Sequence, residues 1–248
     1  MKKRIVGILI LFLLLINCGK KSRLNTPEYM MNQGLFFINE GKYQIAESKL
    51  KLALKKKPNL VGAINGLGII YLTRRNFEKS IEYFKKVVSL NPQYIDAYNY
   101  LGIAYTELKK YDLAKENFLI AATSENYRNP ENAYVNLAKL EILRKNYKAA
   151  LRYIEKGLKH NKSFAPLYNL KGVVFENLKM YAEAIDSYKK SLSILTEPDI
   201  YTLLNMARTY AKIGDKESAL NVYEKALSVT KDQKLRTMII QKMNELEK

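Results

Sequence analysis

The chain has 248 residues and a formal net charge of +18; 48% of the residues are hydrophobic, 27% are charged, and 11 are Gly and 6 Pro. This length supplies one or two domains with ample chain for a core, and the composition excludes collagen-like, low-complexity and disordered proteins. One Cys and one His exclude a disulfide framework and a thiolate zinc cluster, and they disfavour a His-based triad. We therefore expect a globular, helical protein that is not an enzyme and needs no metal or cofactor.

The first element along the chain is an N-terminal targeting segment, predicted over residues 1–17. Residues 2–4 are basic, and residues 5–16 form a run of twelve without a polar side chain. A basic start followed by a short apolar run is typical of a signal peptide. The run is too short for a membrane span, which needs about 20 apolar residues.

The only cysteine, Cys18, follows this segment directly. Residues 15–18 resemble the bacterial lipobox, although Asn17 stands where a small residue is usual. The resemblance implies a lipoprotein in which Cys18 is acylated and residues 18–26 form a tether. Buried acyl chains contribute about 0.8 kcal/mol per CH₂ to membrane binding. The expected localisation is the bacterial cell envelope, with the outer membrane favoured because Gly19 and Lys20 lack the Asp that retains lipoproteins in some inner membranes.

Small residues then recur with a period close to 34 residues. One series consists of Gly34, Gly68, Gly102, Ala138, Gly172 and Ala207. A second series, twelve residues later, consists of Ala46, Ser80, Ala114, Ala150, Ala184 and Ala219. Such a period is typical of helical-hairpin repeats that bury their apolar faces on their neighbours.

The pattern within each period resembles the tetratricopeptide repeat. The second unit carries it most completely, with Ile64, Leu67, Gly68, Tyr71, Ser80, Phe84 and Pro92. The resemblance implies an all-α fold, a right-handed α-solenoid of six helical hairpins plus a C-terminal capping helix. The predicted hairpins are residues 27–60, 61–94, 95–128, 131–164, 165–198 and 200–233. Residues 234–248 form the predicted cap, with Leu235, Ile239, Met243 and Leu246 on one apolar stripe.

In this family the first helix of each hairpin lines a concave groove, and the resemblance implies that the groove binds a peptide or another protein. The candidate groove residues are Asn65, Ile69, Asn99, Ile103, Asn136, Lys139, Asn169, Val173, Asn205 and Arg208. An aliphatic floor beside amides suits a peptide backbone, because Asn both donates and accepts hydrogen bonds. The alternative interpretation is that these Asn residues support the hairpins themselves. His160, near a helix end, is expected to be structural.

The junction between the third and fourth units, residues 121–138, resembles the pilotin family of type IV pilus biogenesis. The resemblance implies a partner, a secretin subunit, which the protein would help to reach or assemble in the outer membrane. A general periplasmic adaptor for another envelope complex is the alternative. A weaker alternative is that a basic surface of the protein binds anionic lipid or nucleic acid. It is weaker because 33 of the 42 cations are Lys, whereas proteins that bind nucleic acid favour Arg. No small-molecule substrate is expected.

Overall fold

The computed structural model describes residues 25–247, so the predicted signal peptide and Cys18 lie outside the described residues. The regular elements of the described part are all α-helices. They are α1 Pro27–Asn39, α2 Tyr43–Lys56, α3 Val61–Thr73, α4 Phe77–Leu90, α5 Ile95–Glu107, α6 Tyr111–Thr123, α7 Pro130–Leu143, α8 Tyr147–His160, α9 Ala165–Asn177, α10 Tyr181–Ile194, α11 Ile200–Lys212, α12 Lys216–Val229 and α13 Gln233–Glu247.

Helices α1 to α12 follow one another as six hairpins, and α13 comes after the last of them. The predicted fold class, an all-α tetratricopeptide solenoid, is confirmed. The described part of the chain divides into two compact units, the first ending at residue 120 and the second beginning at residue 121.

Each hairpin turns through one residue in the left-handed region of backbone conformation. Gly41 and Gly214 do so with φ of 70° and 81°, whereas the other four turns use Arg75, Lys109, Lys145 and Lys179, with φ between 57° and 61°. The next residue donates its backbone N–H back to the first helix; in the fifth hairpin Met180 donates to the carbonyl of Phe175 at 2.9 Å. This is the hydrogen bond of a Schellman motif, which satisfies a helix-terminal carbonyl.

The first unit is built around small residues that let helices approach closely. Its core cluster consists of Ala46, Leu50, Ala53, Ala63, Leu67 and Ile70. A Cβ on Gly68 would lie 2.7 Å from Cε1 of Phe84, which real side chains do not tolerate. The glycine therefore allows the aromatic ring of α4 to lie against the backbone of α3.

The second unit ends on the capping helix α13. Its Ile239 is fully buried and belongs to a cluster with Leu203, Ala207, Tyr223 and Ala226 from α11 and α12. The neighbouring Ile240 is 46% exposed. One face of α13 therefore covers the apolar surface of the sixth hairpin, and the other faces solvent.

Candidate functional site

The predicted groove residues of the first unit lie at different depths. Ile69, Asn99 and Ile103 are half-buried. Asn65 is only 5% exposed, and its Oδ1 accepts no hydrogen bond from the part of the chain that the structure describes. In this arrangement Asn65 does not offer its side chain to a partner at the surface.

The second unit contains two hollows. The terminal hollow, about 630 Å³, lies between α11, α12 and α13, and the middle hollow, about 560 Å³, lies between α7, α9, α10 and α11. The terminal hollow is lined in part by Tyr201, Leu204, Asn205, Arg208, Met238 and Lys242. The middle hollow is lined in part by Lys139, Asn169, Ser191, Leu195, Tyr201 and Thr202. Tyr201, which is 65% exposed, lines both hollows.

Four of the predicted groove residues line these hollows. Lys139 and Asn169 line the middle hollow, and Asn205 and Arg208 line the terminal one. Nδ2 of Asn205 donates to Oδ1 of Asn169 at 3.2 Å and so links α11 to α9. The two amides thus support the packing of successive first helices while lying at the hollows.

Two predicted residues of the second unit lie outside both linings. Asn136 is half-buried on α7. Val173 on α9 packs against the cluster of Ala184, Tyr188 and Met206. Val173 therefore contributes to the core between α9, α10 and α11.

Arg208 belongs to a charged network centred on Glu176 of α9. The Arg208 guanidinium donates from Nε and Nη2 to the two oxygens of Glu176 at 2.8 and 2.7 Å. Lys212 lies 2.9 Å from Oε1 of the same carboxylate, and the Tyr188 hydroxyl donates to Oε2 at 3.0 Å. The side chain of Glu176 is 3% exposed, whereas those of Arg208 and Lys212 are 49% and 47% exposed. The network therefore joins a buried acid to two cations at the edge of the terminal hollow.

The ionisation of this network follows from its contacts. Burial raises the pKa of Glu176, but the hydrogen bonds from Arg208 and Lys212 outweigh burial and bring the pKa to about 2. Burial and the Glu176 charge both raise the pKa of Tyr188, so that its hydroxyl remains a donor. The carboxylate is thus ionised and fully paired near neutral pH.

Sequence reasoning missed Glu176, Lys212, Tyr201 and Met238. Arg208 and Lys212 are four residues apart on one helix face, a spacing that places both cations near one point on a neighbouring helix. The sequence did not indicate which acid they meet, because Glu176 lies more than thirty residues earlier. Tyr201 and Met238 carry no signal of their own, since apolar residues at helical spacing usually belong to a core.

The start of α11 is held by its N-cap residue, Asp199. Oδ2 of Asp199 accepts hydrogen bonds from the backbone N–H of Thr202 at 2.8 Å and from its hydroxyl at 2.7 Å. Such a cap satisfies a backbone donor that the helix leaves unpaired. It fixes the first turn of α11 and with it Tyr201, which lies between the two hollows.

His160 ends α8, and its ring stacks on that of Tyr134 with centroids 5.5 Å apart. Within residues 25–247, no cluster of three or more His, Cys, Asp or Glu side chains could hold a metal ion. None of the helices described is both long and apolar enough to span a bilayer.

Family models match most of the described chain. A model described as tetratricopeptide repeat protein 21 C-terminal ARM domain matches residues 119–244, just over half of the chain. Two tetratricopeptide-repeat models match residues 61–94 and 83–116. The chain belongs to the tetratricopeptide-repeat family. Proteins of this family are non-catalytic scaffolds that bind other proteins.

Curated relatives of this tetratricopeptide-repeat chain match it over short stretches. Photosystem I assembly protein Ycf3 of Prochlorococcus marinus strain NATL1A is 44% identical over 66 residues, which are 25% of this chain and 38% of the relative. The uncharacterized protein ycf37 of Cyanophora paradoxa is 28% identical over 116 residues, 46% of this chain and 64% of the relative. The chain thus spans well under two thirds of the length of Ycf3.

Solved structures with the same fold match over nearly the whole chain. The type IV pilus biogenesis factor PilW superposes with a TM-score of 0.75 at 18% identity, covering 86% of this chain and 98% of PilW. PilF of Pseudomonas aeruginosa gives a TM-score of 0.70 at 18% identity, covering 87% and 97%. A tetratricopeptide-repeat protein of Parabacteroides merdae gives 0.70 at 19% identity, covering 91% and 85%. At these identities the likeness is one of fold.

Proposed function

We propose that this tetratricopeptide-repeat protein is a lipid-anchored scaffold of the bacterial envelope that binds a secretin subunit during type IV pilus assembly. The observation that carries the proposal is the match to PilW, which extends over 98% of that type IV pilus biogenesis factor. The lipobox-like residues before Cys18 and the junction at residues 121–138 support the same assignment. The mechanism is binding without chemistry.

In this proposal the N-terminal segment and the repeats have different functions. Acylated Cys18 holds the protein at the membrane, and the following residues act as a tether. The repeats present their first helices to the partner, with the two hollows of the second unit and half-buried Asn99 and Ile103 of the first as the contact surfaces.

A second candidate function is assembly of another membrane complex. It is favoured by the curated relatives, which include several photosystem I assembly proteins. Here too the chain acts as an adaptor without catalysis, and only the partner differs. The two candidates therefore separate on the identity of the bound protein.

The test is a crosslinked pull-down of the full-length protein from its own cells, with the bound envelope proteins identified by mass spectrometry. We expect a secretin with the wild type and a reduced or mislocalised complex with Cys18→Ala. Asn99→Ala and Ile103→Glu should weaken recovery while circular dichroism and thermal melting stay near those of the wild type. Recovery of a different membrane complex would replace the pilus function by the second candidate.

A further inference from the structure

The terminal hollow, defined above, combines exposed apolar side chains with cations. Tyr201 is 65% exposed and Met238 is 42% exposed, and half-buried Leu204 and Leu235 also line the hollow. A concave apolar surface with a polar rim is typical of an interaction site rather than of ordinary protein surface. A volume of about 630 Å³ suits a few side chains of a partner.

The charges around this hollow are unbalanced. Arg208, Lys212 and Lys242 line it with a single acid, Glu245. A second acid, Glu176, does not line the hollow and is almost completely buried. Even with Glu176 included, the group retains one excess positive charge. An acidic partner therefore complements the hollow better than a neutral or basic one.

The cations also keep hydrogen-bonding capacity. The Arg208 guanidinium uses Nε and Nη2 on Glu176, and its Nη1 has no partner among the described residues. Lys212 uses one of its three donors on Glu176. Because Glu176 holds both side chains in place, a second carboxylate would meet cations whose conformational entropy is already partly lost.

The wall formed by α13 offers a further exchangeable contact. Nζ of Lys242 lies 2.7 Å from Oε2 of Glu245, and both side chains are about half exposed. Exposed ion pairs of this kind contribute little net free energy. A carboxylate of a partner can therefore bind Lys242 in place of Glu245 at a small cost in free energy.

We propose that the terminal hollow binds an acidic segment of the partner protein that carries a large apolar side chain close to an Asp or Glu. The apolar side chain packs on Tyr201 and Met238, and the carboxylate binds Arg208, Lys212 or Lys242. This inference rests on the proposed scaffold function and names the chemistry of the segment that the scaffold recognises. Without Lys2, Lys3 and Arg4 of the predicted signal peptide, the chain keeps 39 cations against 24 acids, a net charge of +15, which steers such a segment towards the chain.

The probe is a phage-displayed library of random peptides of about 12 residues, selected on the full-length chain in detergent and, in parallel, on Met238→Glu. We expect the peptides retained only by the wild type to be enriched in Asp and Glu beside Leu, Ile, Phe or Met. Equal enrichment on the two proteins, enrichment of basic peptides, or no enrichment would overturn the proposal.

A selected peptide is then synthesised with a fluorescent label, and its Kd is measured by anisotropy. Met238→Glu and Lys242→Glu should each weaken binding by about tenfold or more, a change of 1.4 kcal/mol. Ile240→Glu and Lys234→Glu are the matched controls, because both residues are exposed on α13 and neither lines the hollow. Similar losses of peptide affinity in all four variants would show nonspecific electrostatic attraction between the peptide and the chain and would contradict the proposal.

Two further outcomes separate this inference from the proposed function. If the pull-down recovers a secretin equally with the wild type and Met238→Glu, the scaffold function holds and the terminal hollow is not its site. If the acidic peptides bind as expected but no secretin is recovered, the hollow is confirmed and the pilus function is wrong. Self-association that Met238→Glu abolishes, without peptide binding, would assign the hollow to a second copy of the chain.

Discussion

Gly172 of α9 lies directly against the ring of Tyr188 of α10, so that a Cβ added to the glycine would lie 2.6 Å from Cδ1 of the tyrosine. The same relationship holds between Gly68 and Phe84 in the second hairpin. Each pair is sixteen residues apart in one hairpin. The conserved phase of the small residues within this sequence is thus a packing requirement between paired helices.

Gly172→Ala is therefore expected to destabilise the protein by about 1–3 kcal/mol, because Tyr188 is fully buried and its ring cannot move aside without strain. Gly62→Ala is the matched control, since a Cβ there would meet the flexible end of Met31 and alanine favours a helix. Urea unfolding measures both changes. An equal loss in the two variants would contradict the packing explanation.

The Glu176 network predicts a dependence of stability on pH. The pKa of Glu176 is about 2 in the folded chain against an ordinary value of 4.5. Because the folded value is the lower one, the stabilisation is complete above the ordinary value and is lost as the pH falls towards 2. With allowance for the half-exposed cations, we expect the carboxylate to contribute about 2 kcal/mol near neutral pH.

Glu176→Gln should therefore lower the free energy of unfolding near neutral pH and flatten its decline in acid, as measured by urea unfolding at several pH values. Glu47 of the first unit also has a pKa of about 2, mainly because it accepts a hydrogen bond from Lys51. The contribution of Glu47 to the pH dependence of stability should remain in Glu176→Gln. Exposed Glu155 provides the control, and Glu155→Gln should retain the wild-type profile. An unchanged profile in Glu176→Gln would show that the network contributes no net stability.

Two adjacent residues of α13 test the role of the capping helix. Ile239→Ala should cost about 2–4 kcal/mol, because it opens a cavity between α11, α12 and α13. Ile240→Ala, next to it but 46% exposed, should change stability by less than about 0.5 kcal/mol. Thermal melting followed by circular dichroism compares them. A small effect at Ile239 would mean that α13 contributes little to the stability of the sixth hairpin.

The left-handed turns predict a substitution that stabilises the protein. Lys179 has a φ of 61°, a conformation that costs a residue with a Cβ about 1 kcal/mol. Lys179→Gly should therefore raise the free energy of unfolding by about 0.5–1 kcal/mol. Lys189→Gly, at an exposed position within α10, should lower it by about 1 kcal/mol. The midpoints of urea unfolding should therefore shift in opposite directions in the two variants. A lower free energy of unfolding in Lys179→Gly would rule out relief of backbone strain.

The groove predictions show how far a repeat pattern reaches. Asn169 and Asn205 stand at the fifth and sixth positions of successive hairpins, and the structure brings their side chains together at 3.2 Å. Asn65 has a similar phase but is buried, because exposure depends on the side chains that neighbouring helices happen to contribute. The repeat pattern thus gives the position of each Asn within its hairpin, and local packing decides which of these side chains reach the surface.

By itself the sequence determined the all-helical repeat fold, the hairpin organisation and the apolar stripe of the C-terminal helix. These features depend on the spacing of apolar residues and on the close approach of helices at small residues. Both requirements make the same residue types recur at fixed intervals in the sequence. Only the tertiary structure showed that Arg208 and Lys212 pair with Glu176. It also showed that Tyr201 and Met238 line the same terminal hollow. These contacts connect residues from different hairpins or from the cap, and no periodic pattern specifies which side chains meet across such a distance along the chain.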